Sequence, residues 1–293
     1  MTHKAGFVNI IGNPNVGKST LMNAMVGERI SIITSKAQTT RHRIFGIVNN
    51  EDYQIVYSDT PGILEPKYEL HQAMLKFVEA SFADADILLY VTDKYDKEPN
   101  ENFINMLKQA TVPVFIVVNK IDLCKDEAEL LEIMDKWKII IPNATVVNIS
   151  ALLKVQTEIL LKLLLEKLPE HEAYFPKDEL TDKPMRFFVS EIIREKIFLY
   201  YQKEIPYCTE VIIESYKEEE TIVRIRAEIM VSRDSQKGII IGHKGASLKK
   251  VGVEARKDIE EFIGKQVYLE TFVKVDKDWR DNQNQLRRYG YVN

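Results

Sequence analysis

The chain has 293 residues, 45% of them hydrophobic and 29% charged, with a formal net charge of −4. This length suits two domains. With no low-complexity tract, and no apolar run near the ~18 residues that a membrane span needs, a soluble globular protein is expected. The acidic total excludes a polybasic nucleic-acid binder as a whole, but the charge is uneven. Arg233, Lys237, Lys244, Lys249, Lys250, Arg256 and Lys257 crowd one stretch against Asp234 and Glu254, which leaves +5 there and −9 elsewhere. Such a patch can grip a polyanion at one place, although a solvated helix face has the same composition.

The opening run "MTHKAGFVNIIG" goes straight into a strand and lacks the apolar core and cleavage site of a signal peptide. Cys124 and Cys208 lie far apart without metal-ligand spacing, so reduced thiols in a cytosolic protein are expected. Along the first half, "FVNIIG", "RHRIFGIVNN", "YQIVYSD", "DILLYVTD", "VPVFIVVNK" and "ATVVNIS" predict strands. Helical patterns fall at Ser19–Val26, about Gln72–Phe82, Glu101–Gln109, Glu127–Lys138 and Gln156–Leu168. This alternation predicts an α/β domain over residues 1–170, a mostly parallel sheet with helices on both faces and ligands at the strands' carboxyl ends.

Residues 171–184, with three prolines between Leu168 and Pro184, read as a linker. Residues 185–293 follow a different order, α+β. It runs as a helix "MRFFVSEIIREKIFLYYQ", strands "CTEVIIESYK" and "TIVRIRAEIMVS", a short helix into "GIIIG", a helix Ala246–Phe262 and a strand "QVYLETFVKV". That is αββααβ.

"GNPNVGKST", following a strand and opening a helix, fits the phosphate-loop pattern. Its backbone N–H groups, from Gly12, Asn13, Asn15, Val16 and Gly17 through Lys18, Ser19 and Thr20, are expected to surround phosphate oxygens. Lys18 then reaches the outer phosphates, and the Ser19 hydroxyl ligates Mg²⁺. "DTPG" ends the strand "YQIVYSD": Asp59 is expected in the magnesium shell, and the Gly62 N–H at a γ-phosphate. Between them, Thr40 is expected to close over metal and phosphate, with Thr39 as second choice.

"NKID" supplies the base reader. The Asp122 carboxylate accepts two hydrogen bonds, which suits the paired donors on one edge of guanine and not adenine. Asn119 is expected to bridge to the phosphate loop and the Lys120 stem to cover the base. "SAL", with Ser150 and Ala151, is expected to bring a backbone N–H to guanine O6. In this order the four motifs specify a GTP-binding domain, with Lys18, Thr40 and Gly62 as the groups around the reacting phosphate.

"GNPNVGKSTLMNAMVG", "QTTRHRI", "DTPG" and "NKID" resemble the Era family of bacterial GTPases. Many other GTPases place a water-orienting glutamine directly after the third of these motifs; this chain has Ile63, so hydrolysis must rest on electrostatic stabilisation and on water held by another group. Related GTPases with asparagine where Asn15 stands use K⁺ beside the phosphates, which makes K⁺ a candidate cofactor besides GTP/GDP and Mg²⁺.

In "IIIGHKGASLKK", the pair Gly242 and Gly245 lets a nucleic-acid backbone approach closely. His243 and Lys244 project between them, and the isoleucines up to Ile241 are expected to floor the bases. Lys249, Lys250 and Arg256 extend the basic surface. Together with the αββααβ order this resembles a type II KH module, a clamp for about four nucleotides of single-stranded RNA.

The Era resemblance runs on through "SEIIREKI", "EIPY", "VYLETFVKV", "DW" and the final "GY". It implies a monomeric cytoplasmic GTPase with low intrinsic turnover. Its implied partner is the assembling small ribosomal subunit, near the 3′ end of the small-subunit ribosomal RNA, late in assembly. A peripheral association with the inner face of the cell membrane goes with it. The alternative is a GTPase whose basic second domain docks a protein or an anionic membrane surface. For the tail from Lys274, with Trp279, Arg280, Arg287 and Arg288, two readings stay open: added RNA surface, or a helix capping the module.

Overall fold

The computed structural model describes residues 3–96 and 99–292. Two compact units divide them: one runs up to Pro66 and over Met74–Asp182, the other comprises Lys67–Ala73 and everything from Lys183. Among the described residues no helix is long and apolar enough to cross a membrane.

Up to Lys167 the order is β1 (Lys4–Ile11), α1 (Lys18–Val26), β2 (Ile44–Asn49), β3 (Tyr53–Asp59), α2 (Glu69–Ala83, its first residues counted with the second unit), β4 (Ile87–Thr92), α3 (Glu101–Gln109), β5 (Val114–Val118), α4 (Glu127–Ile140), β6 (Thr145–Asn148) and α5 (Thr157–Lys167). The sheet order is β2-β3-β1-β4-β5-β6. Only β2 is antiparallel, pairing Ile44 with Asp59 and Asn49 with Gln54. "ILLYVT" of β4 and "VFIVV" of β5 are buried at every position, as strands covered on both faces require. Helices start where side chains replace missing backbone partners: Asn100 accepts from Asn102 and Phe103, and Asp126 from Glu129. On one face Trp137 of α4 lies buried, its ring 5.2 Å from that of Tyr90. This arrangement brings the carboxyl ends of β1, β3, β4 and β5 to one rim of the sheet.

The stretch 171–182 is held along the β2 edge. Ile47 donates to the Leu180 carbonyl (2.8 Å), Phe45 to the Asp182 carboxylate (3.0 Å), and the buried Gln54 side chain binds the backbone of Tyr174 and Phe175. These bonds satisfy donors that an edge strand otherwise leaves open.

The second unit has α6 (Met185–Tyr200), α7 (Ile205–Cys208), β7 (Thr209–Glu218), β8 (Ile222–Val231), α8 (Asp234–Ile241), α9 (Ala246–Ile263), β9 (Gln266–Val275) and α10 (Gln283–Arg288). The expected αββααβ order is present, with the one-turn α7 inserted and α10 appended. The sheet runs β7-β8-β9, the first pair antiparallel and the second parallel. Val251, Ala255 and Ile259, spaced by four along α9, turn a buried stripe to a core shared with Val189, Ile193 and Ile197 of α6.

The tail resolves in favour of the capping reading at its aromatic residues. Trp279 is fully buried and donates from Nε1 to the Cys208 carbonyl (3.0 Å), between Tyr289 and Tyr291. The Tyr291 hydroxyl reaches Glu210 (2.5 Å). An indole so enclosed offers no stacking face to RNA, so of the two open readings Trp279 takes the capping one; Arg280, Arg287 and Arg288 lie outside the plug. Trp279→Ala is expected to destabilise the second unit by roughly 3–5 kcal/mol. The check is the midpoint of its urea transition by circular dichroism, with nucleotide binding by the first unit retained.

Candidate functional site

The first site forms where β1 hands over to α1. Gly17 is in the left-handed region at φ 96°, and a Cβ there would stand 2.3 Å from Asn119 Nδ2, so only glycine fits the turn. Lys18 curls back, and its ammonium donates to the carbonyls of Gly12 (3.0 Å) and Asn13 (2.8 Å). Burial pushes Lys18 down to about 8, with Asp59 and Asp96 opposing the shift.

Ser19, Thr40 and Asp59 converge from α1, the following loop and the end of β3. Ser19 Oγ donates to Asp59 Oδ2 at 2.7 Å and lies 2.9 Å from Thr40 Oγ1. Asp59 is fully buried, and its Oδ1 has no hydrogen-bond partner among the described residues. Burial raises its carboxyl, while Ser19 and Lys18 hold it down. Three oxygens around an unsatisfied buried carboxylate atom suit a small hard cation such as Mg²⁺. Thr39 is turned away, bonding the Lys36 carbonyl (2.7 Å) and Thr34 (2.6 Å).

Thr60 anchors the "DTPG" turn to β1 through the Ile10 carbonyl (2.8 Å), and Gly62 lies against Pro14, where a Cβ would meet the ring at 2.8 Å. Ile63 is packed in the core with Ile11, Val78 and Leu88 and does not face the phosphate loop's cavity.

On the other side, Asn119 ties three loops together. Its Nδ2 donates to the Val16 carbonyl (2.9 Å), and its Oδ1 accepts from Ala151 N–H (3.0 Å). Lys120 bonds the Asn15 carbonyl and pairs with Asp93 (2.7 Å). The exposed Asp122 carboxylate accepts the hydroxyl of buried Ser150. The expected free backbone donor is not supplied by these two residues: Ser150 N–H bonds the Val155 carbonyl (3.2 Å), and that of Ala151 is taken by Asn119. Ser150 therefore orients Asp122 through its side chain. A cavity of about 500 Å³ joins these groups, with Lys18, Thr20, Thr40 and Gly62 towards one end and Asn119 and Asp122 towards the other.

Sequence reasoning passed over Asp93 and Asp96. Asp96 accepts from Asn13 Nδ2 (2.7 Å) and Thr92 Oγ1 (3.1 Å), steadying the loop whose carbonyl holds Lys18. The signal was the pair of aspartates in "VTDKYD" at the carboxyl end of β4.

The second site is the turn between α8 and α9. Gly242 has φ 70°, and a Cβ there would sit 2.2 Å from Ser247 Oγ. His243 and Lys244 are exposed, with Lys244 itself at φ 49°. Of the expected apolar floor, Ile240 belongs to the core and its carbonyl accepts Tyr201 OH (2.7 Å), so only the half-exposed Ile239 and Ile241 remain for a ligand. Lys249 and Lys250 lie exposed on the first turns of α9, with the Lys250 ammonium 4.2 Å above the Tyr200 ring. Arg256 stands two helical turns further, ~10 Å along the axis, beside Glu260 at 4.0 Å, and is not part of the cluster.

Known proteins share both arrangements. The family described as 50S ribosome-binding GTPase matches residues 7–120, and the KH domain family matches residues 204–280. A crystal structure of Era in complex with MgGDPNP and nucleotides 1506–1542 of 16S ribosomal RNA is 39% identical and superimposes with a TM-score of 0.95. It covers 99% of this chain and 100% of its own. The chain belongs to the Era family. An Aquifex aeolicus Era variant bound to GDP·AlF4⁻ gives the same identity, coverage and TM-score.

In a member of this GTPase family Lys18 is expected to meet a nucleotide's outer phosphates. Its lowered pKa has a measurable sign: as pH rises through about 8 the free protein loses that proton, and a bound polyphosphate would restore it. Nucleotide binding is therefore expected to take up a growing fraction of a proton as pH rises through about 8 and little near pH 7. Calorimetry in buffers of differing ionisation enthalpy measures this, and Lys18→Ala should abolish the difference.

Proposed function

We propose that this protein is a GTP-hydrolysing switch that grips single-stranded small-subunit ribosomal RNA near its 3′ end and assists late assembly of the small ribosomal subunit. The observation that carries the reading is the full-length likeness to an Era crystallised with 16S nucleotides 1506–1542, joined to an exposed two-glycine turn with His243, Lys244, Lys249 and Lys250 around it.

In the first site, the backbone of residues 12–20 cradles the phosphates and Lys18 neutralises their outer charge. Ser19, Thr40 and Asp59 would hold Mg²⁺, which would supply charge stabilisation to the phosphates. Asp122, aimed by Ser150, reads guanine, while Asn119 and Lys120 fix the base-side loops against the phosphate loop. The Gly62 N–H meets the γ-phosphate. Loss of that phosphate removes what holds Thr40 and Gly62, so the two loops relax after hydrolysis.

With Ile63 in the core, no side chain directly after "DTPG" can orient water. Catalysis then rests on fixed charge, and low intrinsic turnover follows. Asn15, exposed at φ 65° within the phosphate loop, supports K⁺ as an added fixed charge. Replacing K⁺ by Na⁺ at constant ionic strength should slow GTP turnover several-fold, and Asn15→Ala should remove the preference; a stopped phosphate-release assay reads both.

In the second unit, the Gly242–Gly245 turn clamps the RNA backbone, Ile239 and Ile241 meet bases, and the lysines at the start of α9 take phosphates. The protein works as a cytoplasmic monomer, with any membrane contact peripheral. Switching demands reciprocity: if RNA favours the GTP form, GTP tightens RNA by the same factor. RNA of the 3′-terminal small-subunit sequence should bind more tightly to protein loaded with a slow GTP analogue than with GDP. His243→Asp with Lys244→Asp, both exposed, should weaken that binding at least about tenfold by exchanging phosphate attraction for repulsion, with guanine-nucleotide affinity unchanged. Equal affinities in both nucleotide states would leave RNA binding without a switch.

A further inference from the structure

The β7 edge of the second unit's sheet carries a feature that neither nucleotide nor RNA explains. β7 pairs only with β8, while α8, α9 and the Gly242–Gly245 turn are associated with β9 at the other edge. The first residues of β7 are covered by the tail, through Trp279 on the Cys208 carbonyl and Tyr291 on Glu210. Beyond them the edge opens. The Val211 N–H points away from β8, since it donates to the Glu210 carboxylate (3.1 Å). By the alternation of an antiparallel strand, the N–H and C=O of Ile213 point the same way.

In front of this edge lies a cavity of about 190 Å³ lined by Arg186, Phe187 and Ser190 of α6, Ile213 of β7, and Arg288 and Tyr289 of the tail. Phe187, Ile213 and Tyr289 give it apolar surface among polar groups, and Arg186 and Arg288 are exposed beside it. Arg224, Arg226 and Arg256 in this unit each have a glutamate beside them, at 3.0, 2.6 and 4.0 Å. Arg186 and Arg288 have no carboxylate partner among the described residues. Glu210, the carboxylate in the cavity wall, is buried and engaged by Tyr291 OH and Val211 N–H.

We propose that this edge is a strand-addition site for an extended peptide of a protein partner, one that alternates apolar and acidic residues. Its backbone pairs with the Ile213 edge, an apolar side chain enters over Phe187 and Tyr289, and its carboxylates meet Arg186 and Arg288. A strand repeats its side-chain direction every second residue, so alternate acids fall on one rim. A polynucleotide would meet the same arginines but leave the strand edge unpaired. Because the clamp turn belongs to the β9 side, RNA and the peptide can be held together.

The test uses the full-length protein and three fluorescein-labelled probes: a hexapeptide alternating Val and Glu, the same peptide with Gln for Glu, and a single-stranded ten-nucleotide RNA. Saturable binding of the acidic peptide is expected, weakened about tenfold or more by Gln in the peptide and by Arg186→Gln with Arg288→Gln. Hydrogen exchange at the Ile213 amide should slow on adding the acidic peptide. Absence of saturable peptide binding, equal binding of both peptides, or an unprotected Ile213 amide would overturn the proposal. So would a double variant that loses RNA and keeps the peptide, which would assign the arginines to RNA.

Discussion

The first unit depends on an ammonium and a carboxylate held out of water within one loop cluster. Lys18 is buried and bonded to two carbonyls of its own loop, and Asp59 is buried beside it with one oxygen unsatisfied. Each alone would be costly, because a charge removed from water must be paired or neutralised. Side by side each offsets part of the other's desolvation, and their chemistry suits phosphate and a hard cation. The surrounding order serves this pair. β1 and β3 bring the two segments to the carboxyl rim of the sheet, Asn119 pins the base-side loops, and Asp96 braces Asn13.

The same backbone device appears in both units with different outcomes. At Gly17 and Gly242 a positive φ and a contact near 2 Å to a prospective Cβ leave room only for glycine, and a helix begins just beyond. In the first unit the turn is enclosed by Asn119, Lys120 and the loop of Thr40, which suits a compact ligand. In the second it stands exposed, flanked by lysines on an open helix face, which suits a chain. Enclosure, not the glycine spacing, separates a mononucleotide pocket from the proposed polynucleotide clamp.

Tight packing elsewhere limits which residues are free to act. Ile63 and Ile240 both sit next to a functional turn and both belong to cores, so neither is available to a ligand. Trp279 plugs the second unit and is likewise closed to a ligand. Such assignments follow from volume: an aromatic or β-branched side chain removed from water contributes about 1.5–3 kcal/mol, which a contact with solvent-exposed ligand must outweigh.

The element order was legible because its signals are local. Apolar runs and period-3.6 patterns marked every strand and every long helix, and "GNPNVGKST", "DTPG" and "NKID" marked the nucleotide cluster in the sequence. The four-residue α7 escaped, being too short to show a period, and the six-residue α10 was only one of two readings of the tail. The sequence by itself determined the fold class, the phosphate loop and the two-glycine turn, because each needs particular residue types at fixed spacing. Only the tertiary structure decided that Thr40 and not Thr39 faces Ser19, that Ser150 works through its hydroxyl, that Asp93 and Asp96 brace the site, and that Trp279 is interior. Those outcomes depend on partners up to about a hundred residues away along the chain, brought close by the sheet, and no local pattern encodes such a meeting.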